Sequence, residues 1–395
     1  MNPARKVLLV DDEPRIVAGL QRLLRPHRAL WDVSVATSAT TALEILESNT
    51  FDVVVSDMRM PVMDGASFLS VVKDRFPATM RIVLSGQTDA NAAQRVVPIA
   101  HQFLSKPTDP VNLLEALRRV ADMRREISDP RIHAAIGGID KLPSLPSVCR
   151  ELTELVSSED SGVDAIARVV QREPAIVLKL LQVVNSSFFG IRRKICSVAE
   201  AVAYLGIERL KNLVMSLSIV NSLPPRAKRF DAVAFHNHSL AVATMTRKIT
   251  EKGVLAETSF VAALLHEVGK LVMASSMPAL YDEIATYSAK NGVSFEAAEE
   301  VMNTCGHVKI GACLLELWGL PFPVVEALVT HAKAPLLEGT GLQPCDAVHL
   351  AHRLIEPSST PLGSTDEDRN YLSRIGMLER LVDLLAFAAE TRVGT

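Results

Sequence analysis

The stretch FDVVVSDMRMPVMDG, Phe51–Gly65, constrains the fold more tightly than any other part of the chain. Its Val53, Val54 and Val55 are consecutive β-branched apolar residues with no polar alternation. A half-exposed strand alternates, so this run reads as a strand buried on both faces of a parallel sheet. Asp57 follows at the carboxyl end, and Pro61 and Gly65 then break the pattern. Open α/β sheets form their ligand crevices at the carboxyl ends of strands, which is where this carboxylate stands.

The flanking segments repeat the motif. Val7–Val10, Val33–Ala36, Arg81–Leu84 and Gln102–Leu104 read as further strands. Between and after them, Ile16, Leu20, Leu23 and Leu24, then Ala42 to Leu46, then Leu113, Leu114, Leu117 and Val120 mark helices. Asp109-Pro110 supplies the cap and first turn of the last one. Five strands alternating with helices predict an α/β fold with a doubly wound parallel sheet. Asp11 and Asp12 then end the first strand, Ser85 the fourth and Lys106 the fifth. Carboxylates gathered at one edge repel each other unless a cation sits among them, and oxygen-only ligands favour Mg²⁺. A carboxylate nucleophile, a metal, an ammonium and a hydroxyl are the parts needed to accept a phosphoryl group.

On LLVDDEP, SDMRMPVMDG, VLSG and FLSKP, residues 6–120 resemble a response-regulator receiver domain. The resemblance implies that Asp57 is the phosphoacceptor. It implies Mg²⁺ on Asp12, Asp57 and the backbone carbonyl of Arg59, with Asp11 in support. Ser85 would be the switch hydroxyl, Lys106 the partner of the phosphoryl oxygen, and Pro107 would follow a cis bond. Phe103 reads equally as a switch aromatic and as simple core.

Beyond residue 122 the pattern loosens through a helical extension and linker over 123–137. Strand signals then almost vanish. Ile166, Val169, Val170, Ile176, Val177, Leu180, Leu181 and Val184 follow the helical period, and Arg172-Glu173-Pro174 marks a helix boundary. Ser358–Asp368 reads as an exposed polar loop. Tyr371–Ala389 reads as one last helix carrying Leu378, Leu381, Leu384 and Leu385. The passages LPSLPSV, REPAIVLKLLQVVNSSFFG and SVAEAVAYLGIERLKNLV resemble the HDOD domain, an output module of bacterial signalling proteins, over 138–335. Residues 336–395 then form a C-terminal helical region expected to pack on it.

His238, His266-Glu267, His307, His331 and His352 are spread over several of these helices, an arrangement that can build a metal site in a bundle. LLHEVGKL resembles the HD-phosphohydrolase signature, with Glu267 in place of Asp. Ala332 stands where related cyclic-dinucleotide phosphodiesterases carry a second His, and His352 where the last metal-binding Asp is expected. The HDOD resemblance implies loss of hydrolase activity, so a transition metal here is the less favoured reading. Taken singly, each histidine reads as a hydrogen-bonded, partly buried imidazole. Lys270 reads as a solvated helix-end lysine.

The net charge of −3 provides no basic field for DNA, and Arg226, Lys228 and Arg229 form only a small basic cluster. No apolar run reaches about 18 residues, and the amino terminus lacks a secretory core. The five cysteines, Cys149, Cys196, Cys305, Cys313 and Cys345, show no CxxC spacing and read as reduced, mostly buried thiols of a cytoplasmic protein. The leading expectation is a response regulator, phosphorylated at Asp57 by a sensor histidine kinase, that switches a non-catalytic HDOD domain binding other signalling proteins. A homodimer is a guess drawn from the habit of phosphorylated receivers. The alternative is a metal-dependent HD-type phosphohydrolase or cyclic-dinucleotide phosphodiesterase controlled by the receiver.

Overall fold

The structure, a computed structural model, describes residues 4–86, 99–106, 110–126, 162–185, 193–206, 226–251, 253–332, 341–356 and 362–393, with a few single positions between them. The chain forms two compact units.

The first unit holds a five-stranded, all-parallel sheet in the order β2-β1-β3-β4-β5. The strands are β1 (Arg5–Val10), β2 (Trp31–Ala36), β3 (Val53–Asp57), β4 (Met80–Gly86) and β5 (Gln102–Lys106). Helices α1 (Pro14–Leu24), α2 (Ala39–Ser48), α3 (Gly65–Arg75) and α4 (Pro110–Glu126) alternate with or follow them. Every residue of β3 is buried, as its run of valines requires. Each buried valine contributes about 1.5–3 kcal/mol, which anchors the strand that carries Asp57. The chain crosses from β1 outward to β2, then returns past β1 to form β3. That reversal makes a switch point between β1 and β3, where a crevice opens. Val10 lies opposite Ser56, so the residues that follow, Asp11 and Asp57, emerge side by side. Lys106 lies opposite Gly86 at the end of the outermost pair.

The second unit is helical. Its helices are α5 (Val163–Val170), α6 (Pro174–Val184), α7 (Val198–Leu205), α8 (Ala232–Thr250) and α9 (Val254–Leu265). They continue as α10 (Val268–Ser276), α11 (Pro278–Asn291), α12 (Phe295–Val301), α13 (His307–Leu317) and α14 (Phe322–Thr330). Last come α15 (Pro344–Ile355), α16 (Asp366–Arg374) and α17 (Leu381–Val393). Side-chain caps mark several starts: Ser197 before α7, Asp231 before α8, Ser294 before α12 and Thr365 before α16. Helix α9 is the central rod. It is buried from Thr258 to Leu265 and packs against α8, α14 and α15.

The C-terminal region differs from the single helix expected over Tyr371–Ala389. Gly376 takes φ 71°, a left-handed conformation that suits glycine and ends α16, and a second helix starts at Leu381. Leu384 is buried as expected, but Leu378 and Leu385 are exposed. The polar stretch expected as a loop is partly helical: Asp366–Asp368 open α16, and Asp368 accepts from Arg353 at 2.5 Å. Arg380 donates to the carbonyls of Ile249 and Lys248, tying α17's start to α8's last turn.

None of the four described cysteines forms a disulfide, and Cys313 and Cys345 are buried. Among the described residues no single helix is long and apolar enough to cross a membrane.

Candidate functional site

Two clusters of chemistry-bearing side chains stand out, one in each unit. The first sits at the β1/β3 switch point. Lys106 Nζ lies 2.7 Å from Asp11 Oδ2 and 2.7 Å from Asp57 Oδ1, bridging the two carboxylates. Carboxylate oxygens of Asp11, Asp12 and Asp57 all fall within 4.8 Å of one another. Asp11 also accepts from the backbone N–H of Glu13 at 3.0 Å, which turns its side chain over the end of β1.

Burial pushes the Asp57 carboxyl above its ordinary value; Lys106 pulls it back and the neighbouring Asp11 charge adds to the rise. Burial lowers the Lys106 ammonium, yet its bonds to Asp11 and Asp57 outweigh that and leave it raised. An oxygen-only set of three acids, with one oxygen of each close to the others, fits a small hard divalent ion. Arg59, whose carbonyl the resemblance adds to the ligands, follows Asp57 in the loop to α3. The side chains of Ser85 and Phe103, and Pro107 itself, lie outside the described residues.

The loop after Asp57 is built for close approach. Asp64 caps α3 by accepting from Ser67 N–H, and Gly65 N–H donates to the Met58 carbonyl at 2.9 Å. A Cβ on Gly65 would sit 2.0 Å from the Asp57 carbonyl oxygen, so only glycine lets α3 begin there. Val62 adopts φ 69°, a strained conformation for a β-branched residue, costing about 1–2 kcal/mol.

The second cluster lies where α8, α10, α12, α13, α14 and α15 meet. His266 is the C-cap of α9 and Glu267 the N-cap of α10, so the pair occupies a sharp corner between two buried helices. His238 comes from α8, His307 opens α13, His331 caps the end of α14 and His352 lies near the end of α15. All six sequence-selected residues are therefore brought together. Ring centroids of His266 stand 5.3, 5.0 and 5.2 Å from those of His238, His331 and His352.

Three of these rings are held by Nδ1. His266 Nδ1 meets the Ala263 carbonyl at 2.5 Å, His331 Nδ1 the Leu328 carbonyl at 2.6 Å, and His307 Nδ1 the Glu299 carboxylate at 2.8 Å. The Nε2 atoms of His238, His266, His307, His331 and His352 are buried without a hydrogen-bond partner among the described residues. His266, His307 and His331 are hydrogen-bonded imidazoles as expected, but only through Nδ1; an orphaned buried polar atom costs about 1–3 kcal/mol, and each of the five rings carries one at Nε2.

Lys270 is not the solvated lysine expected. Its side chain is 13% exposed, with Nζ paired to Glu267 and 3.1 Å from Glu296. Burial holds His352 down to about 3 and His331 to about 4, and keeps His266 well below its usual range. Glu296 and Glu299 are the members that sequence reasoning missed. Their signal was a capped helix, Ser294 with acids at i+2 and i+5, placed just before His307.

A family model for the response regulator receiver domain matches residues 7–118, and one for the HDOD domain matches residues 142–334. The chain is similar to an uncharacterized protein of Treponema pallidum, 28% identical over 200 residues, covering 50% of this chain and 39% of that protein. It is also similar to the hydrogenase transcriptional regulatory protein HoxA of Cupriavidus necator, 32% identical over 178 residues, covering 42% of this chain and 36% of that one. The chain thus spans well under half the length of these curated relatives. Among solved structures it is similar to the MmoQ response regulator of Methylococcus capsulatus, 28% identical, covering 63% of this chain and 99% of that one, with a TM-score of 0.49. The chain belongs to the response regulators, with a receiver domain followed by an HDOD domain.

Proposed function

We propose that Asp57 accepts a phosphoryl group from a sensor histidine kinase and that this switches the HDOD domain's binding to other signalling proteins. What supports the reading is the Lys106 ammonium, 2.7 Å from both Asp11 and Asp57 at the β1/β3 switch point. An Asp57 oxygen attacks phosphorus, the P–N bond of the donor phosphohistidine breaks with its electron pair going to nitrogen, and the imidazole, already protonated on its other ring nitrogen, leaves neutral. Lys106 neutralises charge developing on the phosphoryl oxygens, and Asp11 holds that ammonium in place. Asp12, Asp57 and the Arg59 carbonyl would hold Mg²⁺, with Asp11 in support; the ion supplies charge neutralisation when bound. Ser85 and Phe103 are the proposed switch pair.

The domains are proposed as receiver 1–122, extension 123–137, HDOD 138–335 and a C-terminal helical region 336–395. HoxA's name points to transcription control, but a net charge of −3 gives this chain no basic field, so protein binding is the proposed output. In this reading the protein works in the cytoplasm with its kinase.

Acetyl phosphate with Mg²⁺ is expected to add one acid-labile phosphoryl group, read by intact mass. Equal uptake by Asp57→Asn would overturn the assignment. Hydrogen exchange in the helical unit that ignores phosphorylation, with or without a partner, would sink the coupling.

A further inference from the structure

We propose that the helical unit binds a pair of divalent first-row transition-metal ions, one on His238, His266, Glu267 and His352 and the other on Glu267, Glu296, His307 and His331, with the Glu267 carboxylate bridging them. This does not rest on phosphorylation of Asp57.

The argument begins with tautomers. A carbonyl oxygen only accepts, so Nδ1 of His266 and of His331 must be the donor to Ala263 and Leu328. In a neutral ring the other nitrogen then carries a lone pair. His307 is oriented the same way by Glu299, which also accepts from the His307 backbone N–H at 2.8 Å. A histidine whose Nδ1 is fixed by a carbonyl or carboxylate, with Nε2 presented inward, is the arrangement that orients metal ligands.

The surroundings of those lone pairs decide the matter. His238, His266, Glu267 and His352 each offer a ligand atom, all within 4.8 Å of one another, and so do Glu267, Glu296, His307 and His331. At His307 acceptor therefore faces acceptor, its Nε2 standing 3.6 Å from Glu296, and His238 Nε2 lies 3.9 Å from Glu267. A core of histidines built for packing alone would aim donors at these nitrogens. Ligands about 2.1 Å from one ion lie at most about 4.2 Å apart, so each set closes around an ion with side-chain shifts on the order of 1 Å.

Charge points the same way. Glu267 and Glu296 share the ammonium of Lys270, and Glu299 is buried against His307, so carboxylates outnumber ammonium groups in this pocket. Mixed imidazole and carboxylate donors without thiolate suit ions such as Mn²⁺, Fe²⁺ and Zn²⁺. One carboxylate shared between two ligand sets is the geometry of two-metal sites, whose ions stand about 3.5–4 Å apart. Glu356, half-exposed, stands 3.6 Å from His352 Nε2 at the edge of the first set.

The test uses the full chain carrying Asp12→Asn and Asp57→Asn, which removes the receiver's own ion site. The metal-free protein is titrated with Mn²⁺ and followed by electron paramagnetic resonance, with bound metal counted by mass spectrometry. The expected result is about two equivalents bound and the signal of an exchange-coupled pair. His266→Gln and His331→Gln, folded by circular dichroism, should each lose that signal, and Glu267→Gln should lose the coupling. Fewer than about 0.2 equivalents bound would overturn the proposal, as would one equivalent or an uncoupled signal alone. A coupled signal unchanged in both histidine variants would overturn it too. Should the variants fail to fold, the unsubstituted helical site decides on its own.

Discussion

Gly269→Ala sets two effects of opposite sign against each other. Gly269 sits in the first turn of α10 and faces the start of α13. An added Cβ would lie 1.8 Å from the His307 carbonyl oxygen, 2.6 Å from its carbon and 3.0 Å from Gly311 N. Carbon and oxygen in close non-bonded contact stand about 3.3–3.6 Å apart, so the two helices must separate by roughly 1.5 Å. Both sides are backbone and neither swings away as a side chain would. Overpacking of this kind costs about 1–3 kcal/mol, and this site belongs at the upper end. Replacing glycine by alanine in a helix returns at most about 1 kcal/mol. The clash wins, with a net loss of about 2 kcal/mol. Urea unfolding followed by helical circular dichroism should show a lower midpoint. A variant as stable as the parent, or more so, would refute the close approach of α10 and α13.

Gly65→Ala should slow acetyl phosphate labelling of Asp57 at least about tenfold, because the new Cβ collides with the Asp57 carbonyl; an unchanged rate by intact mass would contradict this. Val62→Gly should raise stability by about 1 kcal/mol by relieving its left-handed strain, read as a higher urea midpoint. Lys106→Met should bind Mg²⁺ at least about tenfold more tightly by calorimetry while losing phosphoryl uptake, since the ammonium no longer competes for Asp11 and Asp57; unaltered affinity would count against that competition. Acid should weaken the metal-free helical unit. An unfolded histidine takes its proton near 6.5, whereas His331 waits until about 4 and His352 until about 3. Their contribution is complete above about 6.5 and is lost as pH falls, at about 1.4 kcal/mol per pH unit for each ring. Burial pushes Glu356 up to about 7, which offsets only part of one of these slopes, because solvent screens a side chain this exposed. Urea midpoints that stay flat from pH 7 to 5 would contradict the buried neutral rings.

The receiver was the more legible half. The valines of β3 allow no exposed face, and in a parallel sheet the residues that end β1, β3 and β5 gather at one edge. Asp11, Asp57 and Lys106 could therefore be paired from strand order alone. The helical period gave α5 and α6, while residue type and the resemblance of LLHEVGKL singled out the histidines. It misjudged Lys270 and the break at Gly376, because periodicity marks an apolar face without saying what meets it.

The sequence by itself determined the parallel sheet and the acids at its edge, since burial on two faces and strand alternation are local rules carried along the chain. Only the tertiary structure decided that Glu296 and Glu299 join His307, that Lys270 turns inward, and that five Nε2 atoms converge. Those facts depend on how far apart helices stand once packed. Here that separation is governed by glycines such as Gly269 and Gly311, where backbone meets backbone across a gap that one methyl group would close.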